Sequence, residues 1–203
     1  IEKYSSRLKM TALLAELWQK TSGEEARQIA NLIQGQLQPA YDSLEFSLSE
    51  KMIGRALAKL VIRNGGLKTT GGMNVDLFGA ANETGILAQV KEKQRQTGDW
   101  GEATRLIVDD LDLKKTKELT VTEVYFALVQ IARISGEGSQ EEKLKELVSL
   151  YEKLEAESVK VVSRIVIGKL RLGFSLMTIL DSLSWAATGG KEETKELEEI
   201  YQK

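Results

Sequence analysis

The chain has 203 residues, of which 42% are hydrophobic, and a formal net charge of −2 at pH 7. It contains no cysteine and no histidine, which excludes disulfides, thiolate metal sites and the side chain most often used as a general base. With a single proline, long segments of 3.6-residue periodicity and no run of about 18 uncharged apolar residues, the sequence predicts an all-α fold without a membrane-spanning helix.

Periodicity and capping signals predict roughly nine to eleven helices in all. In the first half of the chain we expect them at about residues 2–20, 22–34, 47–63 and 83–96. Two of these helices are predicted to begin at capping boxes, Ser22-x-x-Glu25 and Ser47-x-x-Glu50. Residues 64–82 are rich in glycine, threonine and asparagine, which predicts a loop.

In the second half, Asp99 is predicted to cap the helix that follows it. Thr120 and Ser139 open further predicted capping boxes, with Glu123 and Glu142 as their partners. The remaining helices are expected at about residues 120–134, 139–155, 157–167 and 175–187, with a last, charged one after residue 190.

The cations are concentrated in two segments that contain no acid, residues 51–75 and residues 158–180. They are Lys51, Arg55, Lys59, Arg63 and Lys68 in the first segment, and Lys160, Arg164, Lys169 and Arg171 in the second. The four-residue spacing from Lys51 to Arg63 places these side chains on one stripe of a helix. We therefore expect a basic surface on an acidic body; the alternative is a solvated helix face.

A tight turn between two helices lies in the second basic segment. An apolar run stops at Gly168, Lys169 and Arg171 follow, and Gly173 closes the turn before Ser175 caps a new helix. Cations beside the unpaired N–H groups of a helix N-terminus suit phosphate binding, and glycines let the backbone approach a ligand closely.

A weaker copy of this arrangement lies near the start of the chain. Residues 30–38 align with 163–171 and residues 49–57 with 175–183, with seven extra residues (ten against three) between turn and helix in the first copy. Either two amphipathic helix pairs are alike by chance, or a helix–turn–helix unit is repeated. A repeat would point two turns at one pseudo-symmetric partner, such as duplex nucleic acid.

Four stretches carry a resemblance to one family that extends over nearly the whole chain, in order and at the family's spacing. They are residues 4–17, 93–102 around Thr97-Gly-Asp-Trp-Gly, 119–140, and 164–173, Arg-Ile-Val-Ile-Gly-Lys-Leu-Arg-Leu-Gly. They resemble the N-terminal DNA-binding domain of ATP-dependent DNA ligases of the archaeal and eukaryotic replicative type. The family usually has leucine in place of Trp100, and residues 64–82 are longer and richer in glycine than its norm.

The resemblance implies one all-helical domain over residues 1–203, with an internal pseudo-two-fold repeat, that lies across the minor groove at a nick. It would be part of a longer ligase, whose nucleotidyltransferase and OB-fold domains seal 5′-phosphate and 3′-hydroxyl ends with ATP and Mg²⁺ in replication, repair and recombination. The family's catalytic lysine lies in a Lys-x-Asp-Gly motif, which does not occur here. We therefore expect no catalytic residue, cofactor or metal site in this chain.

The expected partners are nicked double-stranded DNA and the catalytic domains of the same ligase chain. We expect a monomer in the cytoplasm, associated with the nucleoid. The alternative function is a helical protein-interaction scaffold with a basic face. An enzyme would have to use carboxylates alone, and the sequence shows no convergent cluster of aspartates and glutamates.

The candidate DNA-binding residues form three groups. Two of them follow from the two turns and from the resemblance. The third opens a predicted helix, where the alternative is that the residues simply cap it. The groups are Arg164, Gly168, Lys169, Arg171 and Gly173; Gly35, Gln36 and Gln38; and Gly136, Gly138 and Ser139. The three tryptophans are predicted to be core residues rather than platforms for stacking bases; they are Trp18, Trp100 and Trp185.

Overall fold

A computed structural model describes residues 6–39, 42, 44–67, 83–113, 118–170 and 175–201. Within these ranges the chain forms ten α-helices and no strand, which confirms the all-α prediction. The helices are α1 (Arg7–Lys20), α2 (Gly23–Ile33), α3 (Glu50–Arg63), α4 (Glu83–Thr97), α5 (Trp100–Leu111), α6 (Val121–Arg133), α7 (Ser139–Tyr151), α8 (Ala156–Val166), α9 (Leu176–Thr188) and α10 (Thr194–Tyr201). None of these helices is long and apolar enough to cross a membrane.

The chain divides into two compact units. The first is built from residues 1–42 and 170–203 and contains α1, α2, α9 and α10, whereas the second is built from residues 43–169 and contains α3 to α8. Each copy of the expected helix–turn–helix repeat therefore begins in one unit and ends in the other. The repeat and the single domain over residues 1–203 both stay predictions.

Local capping signals set the start of several helices as the sequence predicts. Ser22, Asp99 and Ser175 each accept a hydrogen bond from the backbone N–H three residues further on. Thr120 and Glu123 form a complete capping box, in which each side chain bonds to the backbone of the other residue. These interactions satisfy N–H groups that have no partner within the helix.

The predicted capping box at Ser47 is wrong. α3 begins two residues later than expected, with Ser49 as its N-cap, and Ser47 has a φ of +50°. Phe46 and Leu48 are buried on either side of Ser47, and the ammonium of Lys143 donates a hydrogen bond to the Phe46 carbonyl at 2.7 Å. This anchoring to α7 keeps the segment out of the helix.

The predicted cap at Ser139 is also wrong by one residue. Gly138 is the N-cap of α7, with a φ of +77°, and Ser139 is the first residue of the helix. The left-handed conformation favours glycine, so the backbone at Gly138 decides where α7 begins.

The second unit is organised around α3. This helix packs against α4, α5 and α7, while α5 packs against α8 and α6 against α7. Ile53, Leu57 and Leu60 of α3 are fully buried. Between α7 and α8, the buried hydroxyls of Tyr151 and Ser163 share a hydrogen bond of 2.7 Å.

The first unit has its core between α1, α2 and α9. Leu14, Trp18, Ile29 and Ile179 form one apolar cluster. The indole N–H of Trp18 donates to the hydroxyl of Ser182 at 2.7 Å, so its polar group is hydrogen-bonded within the core. Trp18 is a core residue, as predicted.

A buried carboxylate joins three helices of the first unit. Asp181 on α9 accepts hydrogen bonds from Arg7 at 3.2 Å, from Lys191 at 2.7 Å and from Thr194 at 3.2 Å. Burial alone would raise the pKa of the Asp181 carboxyl, but the bonds and charges of Lys191, Thr194 and Arg7 together lower it. Asp181 thus ties the starts of α1 and α10 to α9.

We expect Asp181→Asn to lower the free energy of unfolding by about 1.5–3 kcal/mol at pH 7, because hydrogen bonds to a charged group are lost in a buried place. A carboxyl whose pKa is lowered by folding stabilises the protein above its unfolded pKa of about 3.9, and this contribution is lost as the pH falls through the folded pKa. The difference between wild type and variant should therefore shrink in acid. Urea denaturation at several pH values measures it.

Glu24→Gln is the matched control, because it removes a carboxylate from an exposed ion pair with Arg27 in the same unit. Its effect should be much smaller than that of Asp181→Asn, since exposed pairs contribute little. Equal effects of the two changes would contradict the role assigned to Asp181.

Candidate nucleic-acid interface

α8 ends in a glycine turn that presents Lys169. Gly168 has a φ of +66°. Its N–H donates to the Ile165 carbonyl at 3.0 Å, and the N–H of Lys169 donates to the Arg164 carbonyl at 2.8 Å. This hydrogen-bond pattern closes a helix and redirects the chain, and it leaves the Lys169 side chain 56% exposed. Outside the described residues lie the two remaining predicted contacts of this turn, Arg171 and Gly173.

The turn that ends α2 has the same backbone geometry. Gly35 has a φ of +74°, its N–H donates to the Leu32 carbonyl at 2.9 Å, and the N–H of Gln36 donates to the Asn31 carbonyl at 3.0 Å. Each bond matches its counterpart after α8. However, α3 ends in a similar way at Gly65, so the shared geometry is a general way of ending a helix and does not by itself confirm the repeat.

The first turn differs from the second in its side chains. Gln36 is exposed and Gln38 is half-buried, so this turn offers neutral amides where the second offers an ammonium. Between them, Leu37 is buried and its carbonyl accepts a hydrogen bond from the Asn31 amide at 3.3 Å. The first turn belongs to the first unit, and the other described candidates belong to the second.

Arg164 has a different environment from the one predicted for a DNA-binding residue. Its side chain is only 7% exposed, and its guanidinium binds the Asp99 carboxylate at 3.0 Å. The same carboxylate oxygen also caps α5 by accepting the N–H of Glu102 at 2.8 Å. In this arrangement the guanidinium of Arg164 faces Asp99 rather than solvent, and it holds α8 against the start of α5.

The close approach of α5 and α8 requires a glycine. A Cβ atom on Gly101 would lie 2.7 Å from Cγ and Nε of Arg164 and 2.9 Å from the Lys160 carbonyl oxygen. Neither the buried arginine nor the backbone carbonyl can move away easily. Gly101 therefore lets the buried ion pair form, and the ion pair fixes the end of α8 that carries Lys169.

Lys169 is bound to a carboxylate of the same unit. Its ammonium donates a hydrogen bond to Glu50, the first residue of α3. The other oxygen of Glu50 accepts the indole N–H of Trp100 at 3.0 Å. Hydrogen bonds from Lys169 and then from Trp100 lower the pKa of the Glu50 carboxyl, so Glu50 is charged at neutral pH.

Trp100 is a core residue, as the sequence predicts. It is 8% exposed, and a Cβ atom on Gly54 would come within 3.0 Å of its ring. Of the other two tryptophans, Trp18 is buried and Trp185 is half-buried.

The basic stripe on α3 is not the open surface that the sequence predicts. Arg55 and Lys59 both bind Glu141 of α7, the lysine at 2.6 Å. Arg63 binds Glu152 at 3.2 Å. Of the four stripe cations, Lys51 alone is exposed without a carboxylate partner among the described residues. The stripe is thus largely a seam of ion pairs between α3 and α7.

The candidates at the start of α7 lie beside this seam. Gly136 and Gly138 have φ values of +94° and +77°, and Ser139 opens the helix. Glu141, in the first turn of α7, occupies the side of the helix N-terminus that faces α3. Hydrogen bonds from Lys59 and then from Arg55 lower the pKa of the Glu141 carboxyl.

Glu50 and Glu141 are the residues that sequence reasoning missed. Each lies in the first turn of a helix, where acids are common because of the helix dipole. Nothing in the sequence therefore distinguishes either glutamate from an ordinary residue at a helix start. Their partners are 119 and 82 positions away in the chain. A local pattern cannot reveal contacts at such separations.

Comparison with known proteins places the chain in a family. Residues 1–184 match the protein family described as DNA ligase N terminus. The chain belongs to this family.

Three curated relatives illustrate the extent of the similarity. The DNA ligase 2 of Thermofilum pendens is 40% identical over 203 residues, which is 100% of this chain and 32% of the relative. A DNA ligase of Pyrobaculum arsenaticum is 34% identical over 99% of this chain and 32% of its own length. A probable DNA ligase of Aquifex aeolicus is 33% identical over 99% of this chain and 31% of its own length. The chain thus spans about a third of the length of these relatives.

We expect Gly101→Ala to destabilise the second unit by roughly 1–3 kcal/mol, because the added methyl group overpacks the α5–α8 contact. The matched control is Gly23→Ala, since nothing lies within 4 Å of a Cβ atom on that helical glycine. Thermal and urea denaturation of both variants measure the difference. A Gly101→Ala variant as stable as the control would show that the two helices can separate without cost.

Proposed function

We propose that this chain is the DNA-binding part of an ATP-dependent DNA ligase. It binds nicked duplex DNA without sequence preference, across the minor groove, and positions the nick for the catalytic domains of the same ligase chain. The observation that carries this proposal is the similarity of the whole chain to proteins named DNA ligase. Because the chain spans about a third of those relatives, the sealing reaction itself belongs to the proposal.

The turn after α8 supports this function in physical terms. Lys169 stands exposed at the end of a helix whose position is fixed by the Arg164–Asp99 pair. Contacts of this kind to phosphates hold DNA in place without reading bases, and a ligase has to act at any sequence. The glycine at the turn leaves the backbone open to close approach.

The sequence supports a separation between this DNA-binding chain and the catalytic domains of the ligase. This chain has no Lys-x-Asp-Gly motif, so it offers no lysine of that motif to accept adenylate from ATP. ATP and Mg²⁺ would be held by the catalytic domains of the parent enzyme. The role left to this chain's residues is to bind and orient DNA.

A protein-interaction scaffold with a basic face receives less support. Such a scaffold would depend on the stripe of α3, and three of its four cations already bind carboxylates of α7 and the residue that follows it.

We expect the purified chain to bind nicked duplex DNA, with log K falling against log[salt] at a slope of about −5 if five or six cations neutralise phosphates. Fluorescence anisotropy with duplexes of unrelated sequence measures both the slope and the sequence tolerance. Incubation with radiolabelled ATP and nicked DNA should yield neither adenylated protein nor sealed product. A slope near zero or a strong preference for one sequence would contradict phosphate-led binding.

The two turns can be tested against each other. Lys169→Ala with Arg171→Ala should weaken DNA binding much more than Gln36→Ala with Gln38→Ala, because charge-assisted hydrogen bonds are roughly twice as strong as neutral ones. The first pair of changes should also make the salt slope shallower by about 2, one phosphate for each cation lost.

Thermal unfolding of both double variants serves as the control, since Lys169 and Gln36 are exposed and neither pair should alter stability much. Equal losses of affinity in the two double variants would mean that the charged turn has no special part in binding.

A further inference from the structure

The ammonium of Lys169 already holds an anionic partner within the protein. Glu50 accepts a hydrogen bond from it with one carboxylate oxygen. Both side chains are well exposed, Lys169 at 56% and Glu50 at 40%, so the pair lies at the surface where a phosphate could reach the lysine.

Of the two partners, the carboxylate is the fixed one. Glu50 begins α3, and its second oxygen accepts the indole N–H of Trp100 at 3.0 Å. Trp100 is buried and packs against Gly54, one turn further along α3. The lysine, by contrast, has a flexible four-carbon stem and a point charge that can turn to another acceptor.

We propose that Glu50 is an internal substitute for a DNA phosphate, which Lys169 must leave in order to bind DNA. This inference rests on the proposed function and adds to it a device that limits affinity. Binding exchanges one ion pair for another and leaves Glu50 without its lysine, so part of the electrostatic gain of each phosphate contact is cancelled. A protein that has to release a sealed duplex benefits from such a limit.

The size of the effect follows from the exposure of the pair. Exposed ion pairs change an equilibrium by about 1.5- to 5-fold. In the wild type, the freed Glu50 carboxylate attracts a cation from solution when DNA binds. A single exposed carboxylate takes up only a fraction of a counterion, so the salt slope of the wild type is only slightly shallower than it would be without Glu50.

The central experiment compares wild type and Glu50→Gln in anisotropy titrations with nicked duplex at several salt concentrations. Glutamine keeps an oxygen that can accept the Trp100 N–H, so α3 and α5 stay joined. We expect binding about 2- to 5-fold tighter and a slightly steeper salt slope. Glu50→Ala also removes the acceptor of the Trp100 N–H and should shift the affinity and the salt slope in the same direction. Thermal unfolding of both variants identifies any loss of folding.

A double-mutant cycle with Lys169→Ala distinguishes two ways in which Glu50 could weaken DNA binding. Glu50 could occupy Lys169 in place of a phosphate, or it could repel the DNA directly. If Glu50 acts through Lys169, the gain from Glu50→Gln disappears when Lys169 is absent. A gain that persists in the Lys169→Ala background overturns the proposal, because it would come from repulsion between Glu50 and the phosphates.

Glu24→Gln is the control for net charge. Glu24 also lies in the first turn of a helix and also binds a cation, Arg27, at 2.7 Å. It should leave DNA affinity almost unchanged; a gain equal to that of Glu50→Gln overturns the proposal. If the wild type does not bind duplex DNA at all, the proposed function fails, whereas binding that Glu50→Gln leaves unaltered refutes only the present inference.

Discussion

The geometry of the second turn depends on the buried ion pair between Arg164 and Asp99. Two charges with side chains only 7% and 11% exposed are costly to bury, and removing one partner of such a pair typically destabilises a protein by about 3–5 kcal/mol. The pair forms because Gly101 allows α8 to lie directly on α5. Asp99 then serves twice, as the cap of α5 and as the partner of Arg164. The position of Lys169, five residues along from Arg164, follows from this contact.

Most of the clustered cations form ion pairs with carboxylates of the protein. Glu50 binds Lys169, Glu141 binds Arg55 and Lys59, and Glu102 binds Lys160 at 3.1 Å. A surface of this kind differs from an open basic patch, because a phosphate would have to compete with the carboxylate partner of each paired cation. Exposed pairs are weak, so they can be exchanged, but each exchange reduces the net gain. Under the proposed function, DNA affinity would depend on the exchange of these ion pairs as well as on the number of cations.

The first unit uses the same principle for its own stability. Asp181 gathers cations and a hydroxyl from the starts of α1 and α10 around a buried position on α9. Its neighbour Ser182 accepts the Trp18 indole N–H, so two adjacent polar residues of α9 bond to other helices of the first unit. In both units a carboxylate on one helix fixes segments that are remote in sequence. The turn at Gly35 lacks any comparable charge.

The sequence by itself determined the helical class, the starts of the helices at Ser22, Asp99, Thr120 and Ser175, and the glycine turns at Gly35 and Gly168. These features depend on interactions within a few residues, namely side-chain caps and left-handed glycines. It also identified the family through motifs that extend along the chain. It misplaced the starts of α3 and α7, where buried neighbours and a glycine backbone overrode a serine cap.

Only the tertiary structure decided which cations are available to a partner. The sequence shows two segments without acids, but Arg164 and Asp99 are 65 positions apart and Lys169 and Glu50 are 119 apart. Ion pairs form between side chains that folding brings within about 4 Å, and charge counts along the chain carry no information about such distances. For that reason the sequence could locate the basic segments but not the carboxylates that neutralise them.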